Sequence, residues 1–345
     1  MRVSGTSRLA VCILFALCGV VAWAAPPASG YHLLKKVPLP KAAGGGEYFD
    51  YVTVDADARR VYVSHGSEVD VLDADNFSVV GTISGLKKCH GVAVVKELGK
   101  GYITDGDAES VVVFDTKSLK KTGEIKSYPD TDAIVYDPAS KLIFTFNGDG
   151  KNSTIIDPTK DTVVKTLDLG GGPEQAVPDG KGIIYDNIED KNEVVVIDTR
   201  SLTIKSRWNV APAGEPVAIT LDSKNRRLFS AGRDPALVVM MDVDSGKVLQ
   251  SFPISEGVDS NAFDPDSSLV FSSARAGKIH VFRVDSPDKL SALEPIETEY
   301  GAKTMAIDSK THNLFLSTAD FGPPAGPKGR RPAIPGTARV LIYGR

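Results

Sequence analysis

A short apolar run that ends in aspartate recurs along this chain at an almost constant spacing. Successive aspartates lie 42, 42, 41 and 44 residues apart, at Asp73, Asp115, Asp157, Asp198 and Asp242. Seven aromatic residues, each 40 to 44 residues from the next, begin a second series of short strands: Tyr62, Tyr102, Phe144, Tyr185, Phe229, Phe271 and Phe315. A β-branched repeat of about 40–45 residues with Asp-Pro, Asp-Gly and Asp-Ser turns is typical of a four-stranded propeller blade.

The repeat predicts an all-β, seven-bladed β-propeller that forms one domain over residues 25–345. The last unit ends with Val340–Tyr343, and no chain is left for its fourth strand. The segment Tyr31–Val37, at the other end, precedes the first unit without a partner. We therefore expect the N-terminal strand to complete the last blade and close the ring, which removes exposed sheet edges. A β-sandwich or an open solenoid would explain neither the count of units nor the unpaired strand.

The residues of the repeated strands are also informative. Tyr62-Val63-Ser64-His65 and Tyr102-Ile103-Thr104-Asp105 are each followed by a Val-Leu-Asp or Val-Phe-Asp strand. This pattern resembles the YVTN-repeat β-propeller family over nearly the whole mature chain, and the resemblance implies seven blades. Related rings include secreted or periplasmic binding proteins and lactone hydrolases, so the resemblance alone does not choose a function. The asparagine of the motif is kept only at Asn147 and is replaced in blades four to seven by Ile188, Gly232, Ala274 and Thr318.

The N-terminus has the three-part pattern of a secretory signal peptide. Arg2 and Arg8 precede the apolar stretch Leu9–Ala24, and Ala22-Trp23-Ala24 before Ala25 forms a small-x-small cleavage site. We expect residues 1–24 to be removed and the mature protein to be periplasmic or secreted, in a bacterial cell envelope. The apolar run is shorter than the roughly 20 residues that cross a bilayer, so no membrane span is expected after cleavage.

Charge and cysteine content narrow the classes of partner. The chain has 40 basic and 44 acidic residues, and loss of the two leader arginines lowers its formal charge from -4 to -6. This balance, without aromatic residues interleaved among basic ones, argues against a nucleic-acid partner. Cys12 and Cys18 leave with the leader, and Cys89 alone cannot form an intramolecular disulfide. Its strand position predicts that Cys89 packs between blades.

Candidate binding residues follow from the position of the innermost strand. When the blades are aligned on the residue that ends this strand, the residues five positions upstream are Asp50, His90, Asp132, Glu174, Val217, Asp259 and Lys303. We call these seven residues the rim, because the start of the innermost strand forms one mouth of the central channel. His65 and Asp105, in loops after the aromatic strands, are expected on the same face. The predicted ligand-binding set is therefore the six ionisable rim residues with His65 and Asp105.

Carboxylates around a narrow opening repel one another, and a cation relieves that repulsion. Asp50, His90 and Asp132 are the predicted metal ligands, for calcium if oxygens dominate and for zinc if histidine joins. The alternative is a solvated lining in which Lys303 pairs with one carboxylate. His65 or His90 beside a carboxylate could also act as a general base, so the rival function is a metal-dependent hydrolase of the lactonase type. No Gly-x-Ser-x-Gly motif marks a nucleophile, and no catalytic residue is assigned.

The last blade contains an insertion, residues 321–336, that is rich in proline and glycine and carries Lys328, Arg330 and Arg331. Its prolines favour extended chain, and its position predicts that it emerges on the same face as the rim. A segment of this kind is either a disordered loop or a lid or docking arm. We add Arg330 and Arg331 to the predicted ligand-binding set, with the hypothesis that one of them folds over Asp50 and Asp259. The predicted function is a non-enzymatic binding module that holds a small molecule or a protein partner on the channel face.

Overall fold

The computed structural model describes residues 1, 26–43, 47–326, 329 and 331–345. The predicted signal peptide, apart from Met1, and Arg330 lie outside the described residues. The described chain forms seven antiparallel sheets, one for each predicted blade. Its only helical elements are single 3₁₀ turns at Lys96–Leu98, Gly106–Ala108 and Glu189–Lys191. Within the described part, no helix is both long enough and apolar enough to cross a membrane.

The strands are numbered β1 to β29 along the chain, and each blade runs from the innermost strand outward. Blade one is β2–β5 (Phe49–Asp55, Arg60–His65, Glu68–Asp73, Val79–Ile83), and blade two is β6–β9 (Cys89–Val95, Lys100–Asp105, Ser110–Asp115, Lys121–Lys126). Blade three is β10–β13 (Thr131–Asp137, Leu142–Asn147, Asn152–Asp157, Thr162–Asp168), and blade four is β14–β17 (Pro173–Pro178, Ile183–Ile188, Glu193–Asp198, Thr203–Asn209).

The remaining blades follow the same order. Blade five is β18–β21 (Pro216–Asp222, Arg227–Arg233, Ala236–Asp242, Val248–Pro253). Blade six is β22–β25 (Val258–Asp264, Leu269–Ala274, Lys278–Ser286, Lys289–Ala292), with the short β26 (Ile296–Glu297) also paired to β24. Blade seven contains β27, β28 and β29 (Met305–Ile307, Leu314–Thr318, Arg339–Gly344) and, as its outer strand, β1 (His32–Pro38).

The N-terminal strand closes the ring, as predicted. β1 pairs antiparallel with β29, from His32 opposite Gly344 to Pro38 opposite Arg339. The innermost strands contact one another in sequence around the channel, and β27 of blade seven contacts β2 of blade one. The sheet that completes the circle is therefore built from both ends of the described domain.

The hydrophobic core lies between neighbouring blades, and the repeated aromatic residues fill it. Six of the seven have no solvent exposure, and Tyr185 is 3% exposed. Tyr62 of blade one, for example, packs against Phe114 of blade two with ring centres 5.8 Å apart. Each such contact needs a blade on both sides, so a single blade could not bury its own aromatic residue.

The repeated aspartates hold the turn that follows the third strand in each of the first five blades. The Asp198 carboxylate accepts the backbone N–H groups of Arg200 and Ser201 at 3.0 and 2.9 Å. Asp242 accepts those of Asp244 and Ser245 at 3.0 and 2.8 Å. Aspartate is favoured in this position because its short side chain caps its own turn. The most regular signal in the sequence is thus a turn signal and not a functional one.

Candidate functional site

The rim lies where the alignment of the repeats predicted it. In the first six blades the rim residue is the second residue of the innermost strand, and Lys303 precedes β27 by two residues. Strand register shifts at this point in each of those six blades, for example between Phe49 and Val52 of blade one. A β-bulge re-aims the side chains beside it, and here it recurs at one mouth of the channel.

Asp50, His90 and Asp132 form one compact cluster at this mouth. The Nδ1 atom of His90 donates to Asp50 Oδ2 at 2.5 Å and lies 2.9 Å from Asp132 Oδ1. The Tyr48 hydroxyl donates to the same Asp50 oxygen at 2.8 Å. On the other side of the ring, a Cβ atom at Gly106 would lie 2.7 Å from His90 Nε2, so only glycine leaves room for the imidazole. The cluster is thus fixed from both sides of the histidine.

The electrostatics of this cluster favour a protonated histidine. Burial lowers the pKa of His90, but Asp132 and Asp50 outweigh that effect and raise the pKa to about 10. Burial and the nearby Asp50 charge raise the pKa of Asp132 to about 6. Burial opposes ionisation of Asp50 as well, but Lys303 and His90 lower its pKa to about 2. At neutral pH the cluster is therefore an imidazolium held between two carboxylates.

A chain of ion pairs extends from this cluster to the far side of the rim. Lys303 forms an ion pair with Asp259 and places its Nζ atom 4.0 Å from Asp50 Oδ1. Arg233 forms an ion pair with Asp259 and donates to Glu189 Oε1 at 2.8 Å. Acidic and basic groups alternate along this path, so much of the predicted repulsion is relieved by the protein itself. Lys303 pairs with a carboxylate, as expected if the rim is a solvated lining and not a metal site.

Glu174 has no basic partner of this kind among the described residues. Burial, and next the Asp132 charge, raise its pKa well above the ordinary value for a glutamate. Tyr51 lies below the rim in the same channel, and burial followed by the charges of Asp132, Asp50 and Glu174 raises its pKa. A cavity of about 140 Å³ beside Tyr51 is lined by small and apolar residues and by the uncharged polar residues Thr53 and Gln175. The charged groups of the channel are concentrated at the rim.

Hydroxyl groups hold the backbone of the four rim residues in and next to the cluster. Each donates to the carbonyl oxygen of a rim residue in the following blade: Ser64 to His90, Thr104 to Asp132 at 2.5 Å, Ser273 to Lys303 at 2.5 Å and Thr304 to Asp50 at 2.5 Å. Sequence reasoning missed these residues. Three of them stand two positions after the repeated aromatic residue, so a hydroxyl at that position would have been the signal.

His65 lies in a separate buried cluster. Its Nε2 atom is 2.6 Å from Glu47 Oε2, its Nδ1 atom is 2.9 Å from Asp70 Oδ2, and its ring stacks on Phe49 with centres 5.0 Å apart. Burial lowers its pKa, but the two carboxylates outweigh burial and raise it. The structure therefore does not bring His65 to the His90 cluster, although both side chains were expected on one face.

Asp105 and Cys89 both have a structural role near the junction of blades one and two. The Asp105 carboxylate accepts the backbone N–H groups of Lys87 and Lys88 at 2.8 and 2.9 Å, and the residue is 3% exposed. The Cys89 thiol is buried, donates to the Glu68 carbonyl at 2.9 Å and has its pKa raised to about 12 by burial. The prediction for Cys89 is confirmed, and Asp105 holds a loop of the rim face without joining the rim.

The described part of the insertion is tied down at its base. The Gly322 N–H donates to the Pro332 carbonyl at 2.8 Å, and the Ile334 N–H donates to the Asp320 carbonyl at 2.7 Å. Further along, the Gly336 N–H donates to Glu47 Oε1 at 2.6 Å. These contacts form a narrow ladder that stands on the rim face, as expected from the position of the insertion.

For Arg331, the hypothesis that an arginine of the insertion covers Asp50 and Asp259 requires correction. The Arg331 guanidinium lies 4.8 Å from the centre of the Tyr300 ring, and Lys303 occupies the position between the two aspartates. Lys303 is itself a rim residue, so it reaches the carboxylates over a shorter path than the insertion does. Arg330 lies outside the described residues.

Three donor atoms in the His90 cluster converge closely enough for a metal ion. One atom from each of Asp50, His90 and Asp132 lies within 4.8 Å of the others, as also occurs for His65, Glu68 and Asp70, and for Asp264, Asp266 and His312. Two carboxylates and one imidazole suit zinc better than calcium, which prefers an all-oxygen site. An ion at Asp50, His90 and Asp132 would have to replace the Nδ1 proton. The metal-ligand prediction for these residues stays a prediction.

Comparisons with known proteins agree with this architecture. No family model matches the chain. WD repeat-containing protein 82 of Drosophila melanogaster is 25% identical in an alignment of 174 residues, and the match covers 45% of this chain and 54% of that protein. The chain thus spans about half the length of this curated relative. Membership of the YVTN-repeat family stays a prediction.

Solved structures match over a larger share of the chain. Hydrazine synthase of Kuenenia stuttgartiensis has a TM-score of 0.68 at 15% identity and covers 84% of this chain and 95% of its own. The U3-55K structure has a TM-score of 0.72 at 10% identity, over 92% and 99% of the two chains. A chain of the mitotic checkpoint complex has a TM-score of 0.73 at 12% identity, over 98% and 99%. The fold is a seven-bladed β-propeller. At these identities the likeness speaks for the fold alone.

Proposed function

We propose that this chain is an exported binding module that holds a small molecule or a protein partner on the rim face. The observation that carries the proposal is the convergence of the rim and the insertion on one mouth of the channel. Charged groups there are held in fixed positions by ion pairs, hydroxyl groups and the ladder of the insertion. Fixed and alternating charges give a partner specificity and a defined orientation. The similarity to a WD-repeat protein supports a role in binding a protein partner.

The same geometry favours binding over unassisted catalysis. A general base near neutral pH needs an unprotonated nitrogen, but Asp132 and Asp50 keep the His90 imidazole protonated. His65 is buried, and each of its two ring nitrogens contacts a carboxylate, Glu47 or Asp70. Burial keeps the Cys89 thiol protonated, and a protonated thiol is a poor nucleophile. Neither histidine and no described cysteine is therefore ready to begin a hydrolysis.

A metal-dependent hydrolase is the second candidate, and the convergence of Asp50, His90 and Asp132 favours it. A metal-bound water is a nucleophile that would need no histidine base. Elemental mass spectrometry of the mature protein tests this candidate directly. A stoichiometric ion that is lost in Asp50→Ala/Asp132→Ala would support it and would justify a screen of lactones and esters. Protein without metal, even after incubation with zinc or calcium, would eliminate it.

The binding proposal is tested by charge reversal on the two mouths of the channel. Lys87 and Lys88 precede β6 on the rim face, whereas Lys96 and Lys141 follow innermost strands on the opposite face. We would compare Lys87→Glu/Lys88→Glu with the matched control Lys96→Glu/Lys141→Glu. Immobilised mature protein would be incubated with envelope extract. We expect wild type and control to retain the same molecules and the rim-face variant to lose them. Loss in the control alone would contradict the proposal.

Export is tested separately with the full chain. Expressed with its leader in a bacterial host that has a periplasm, the protein should appear in the periplasmic fraction with Ala25 as its first residue. Recovery of uncleaved protein from the cytoplasm would contradict export and leave the binding proposal untouched. A variant with Leu9–Ala24 interrupted by two aspartates is the matched control, because its mature part is unchanged.

A further inference from the structure

A cavity of about 160 Å³ lies on the rim face between the insertion and the rim. We call it the arginine pocket, because Arg275 and Arg331 line it together with Lys303 and with the rings of Tyr48, Tyr300 and Phe321. Its lining comes from the connection before blade one, the loops around blades six and seven, and the insertion. Apart from Phe49 in β2 and the rim residue Lys303, the lining residues lie outside the strands of the repeat.

The charge in the arginine pocket is positive and only partly balanced. No described aspartate or glutamate oxygen lies within 4.0 Å of the guanidinium of Arg275 or Arg331. Glu47 also lines the pocket, but its side chain is fully buried, and its two oxygens contact His65 Nε2 and the Gly336 N–H at 2.6 Å each. Lys303 is engaged by Asp259. Two arginines therefore face the cavity with no anionic partner among the described residues.

Aromatic rings form the walls of the pocket and hold one arginine in place. The Arg331 guanidinium lies 4.8 Å from the Tyr300 ring centre, and Tyr300 meets the edge of Phe321 with ring centres 5.1 Å apart. A guanidinium that lies over an aromatic ring keeps the N–H groups in its own plane available for a carboxylate. Apolar walls with a few fixed polar groups are the usual composition of a small-molecule site.

We propose that the arginine pocket binds a carboxylate attached to a single ring, as in a small aromatic acid. The size agrees, because a cavity of about 150 Å³ accommodates benzene in a protein interior. Arg275 and Arg331 would bind the carboxylate, while Tyr48, Tyr300 and Phe321 would contact the ring. A dianion such as phosphate fits less well, because Asp50 and Asp259 lie against the neighbouring Lys303 and would repel the second charge. The inference rests on the proposed function in one respect: it takes the rim face as the binding face.

The first test is titration calorimetry of the mature protein with benzoate, benzyl alcohol and inorganic phosphate. We expect benzoate to bind, phosphate to bind more weakly and benzyl alcohol not to bind. Arg275→Gln and Arg331→Gln should each weaken benzoate binding by about tenfold or more, the usual effect of losing one charge-assisted hydrogen bond. Lys96→Gln on the opposite mouth is the matched control and should leave benzoate binding unchanged. Thermal unfolding of every variant would verify that it is folded.

A second arm identifies the source of the carboxylate. A peptide that ends in phenylalanine would be compared with the same peptide amidated at its C-terminus. Binding of the acid but not the amide, more tightly than benzoate, would indicate a protein C-terminus, and binding of benzoate alone would indicate a free aromatic acid. Three outcomes would overturn the inference. Benzoate and benzyl alcohol could bind equally well, or benzoate binding could survive Arg275→Gln/Arg331→Gln. The third outcome is that neither benzoate nor the peptide acid binds at millimolar concentration.

The two proposals fail in different ways. If neither benzoate nor the peptide acid binds while the Lys87→Glu/Lys88→Glu variant still loses its partner, the arginine pocket proposal is wrong and the rim-face proposal stands. The opposite result is that benzoate binds through the arginines while Lys87→Glu/Lys88→Glu captures the same molecules as wild type. That result counts against the rim-face proposal alone.

Discussion

Replacing His90 with glutamine removes the one cation that separates Asp50 from Asp132. Glutamine keeps a hydrogen-bonding side chain of similar reach but carries no charge at any pH. The two carboxylates then face each other with Lys303 alone nearby. We expect His90→Gln to fold with a lower free energy of unfolding, and we expect the loss to depend on pH in a direction set by the histidine.

The magnitude follows from the pKa of His90. A rise from 6.5 to about 10 corresponds to about 5 kcal/mol of stability, at about 1.4 kcal/mol for each pH unit. Because the folded-state pKa is the higher one, this stability is complete below pH 6.5 and is lost as the pH rises through 10. At pH 7 about 4 kcal/mol remains. Protonation of Asp132 in the variant recovers a part, so we expect a loss of about 3–5 kcal/mol, as for other broken buried ion pairs.

The assay is urea unfolding of chelator-treated wild type and His90→Gln at pH 7, 8 and 9. The difference in unfolding free energy should shrink by about 1.4 kcal/mol for each pH unit. His32→Gln is the matched control, because His32 is exposed on β1 and should leave stability unchanged. A constant difference between pH 7 and pH 9, or an NMR titration of His90 with an ordinary pKa, would refute the reasoning. It would also restore His90 as a candidate general base.

Three further changes test other parts of the structure. Asp186 is fully buried, neither of its oxygens has a described hydrogen-bond partner, and burial raises its pKa well above the ordinary value. In urea unfolding, the free energy of unfolding of wild type should decline by about 1.4 kcal/mol for each pH unit above about 4, because the buried Asp186 must ionise. Asp186→Asn should remove this decline and raise stability at pH 7. An unchanged slope would contradict this. Lys303→Met should cost about 3–5 kcal/mol by the same assay, and adding Asp259→Asn should recover part of it; no recovery would argue against the pair. Removing residues 26–38 should lower the melting temperature and cause aggregation in light scattering, since β29 becomes an exposed edge; unchanged behaviour would deny β1 its closing role.

The position of each rim side chain could be predicted because the repeat leaves little freedom. Once the order of strands in a blade is known, a fixed offset from the strand end places a residue at the channel mouth. Asp50, His90 and Asp132 were grouped in this way, and the structure brings them into contact. The ion-pair partner of Lys303 was harder to predict from the sequence. Lys303 could reach either neighbouring aspartate, and the offset alone does not distinguish them.

His65 shows where the same reasoning stops. It ends the second strand of blade one, a position that the next two blades fill with the polar residues Asp105 and Asn147. Its environment is decided by Glu47, which lies in the connection before blade one and has no counterpart in the repeat. A carboxylate from outside the periodic sequence thus turned an expected surface histidine into a buried ion pair.

The arginine pocket beside the insertion is likewise formed by residues outside the repeat. This explains why one side of the ring differs chemically from the others. Seven similar blades place similar backbones around the channel, so the repeat by itself distinguishes no side of the ring. The contacts that do distinguish one side come from segments that the period does not describe: Tyr48 before blade one, Tyr300 before blade seven, and Arg331 in the insertion. Their meeting depends on the paths of three loops, which no spacing encodes. If the arginine pocket binds its ligand, binding will depend on these departures from the repeat, while substitutions in the repeated aspartates will change only stability.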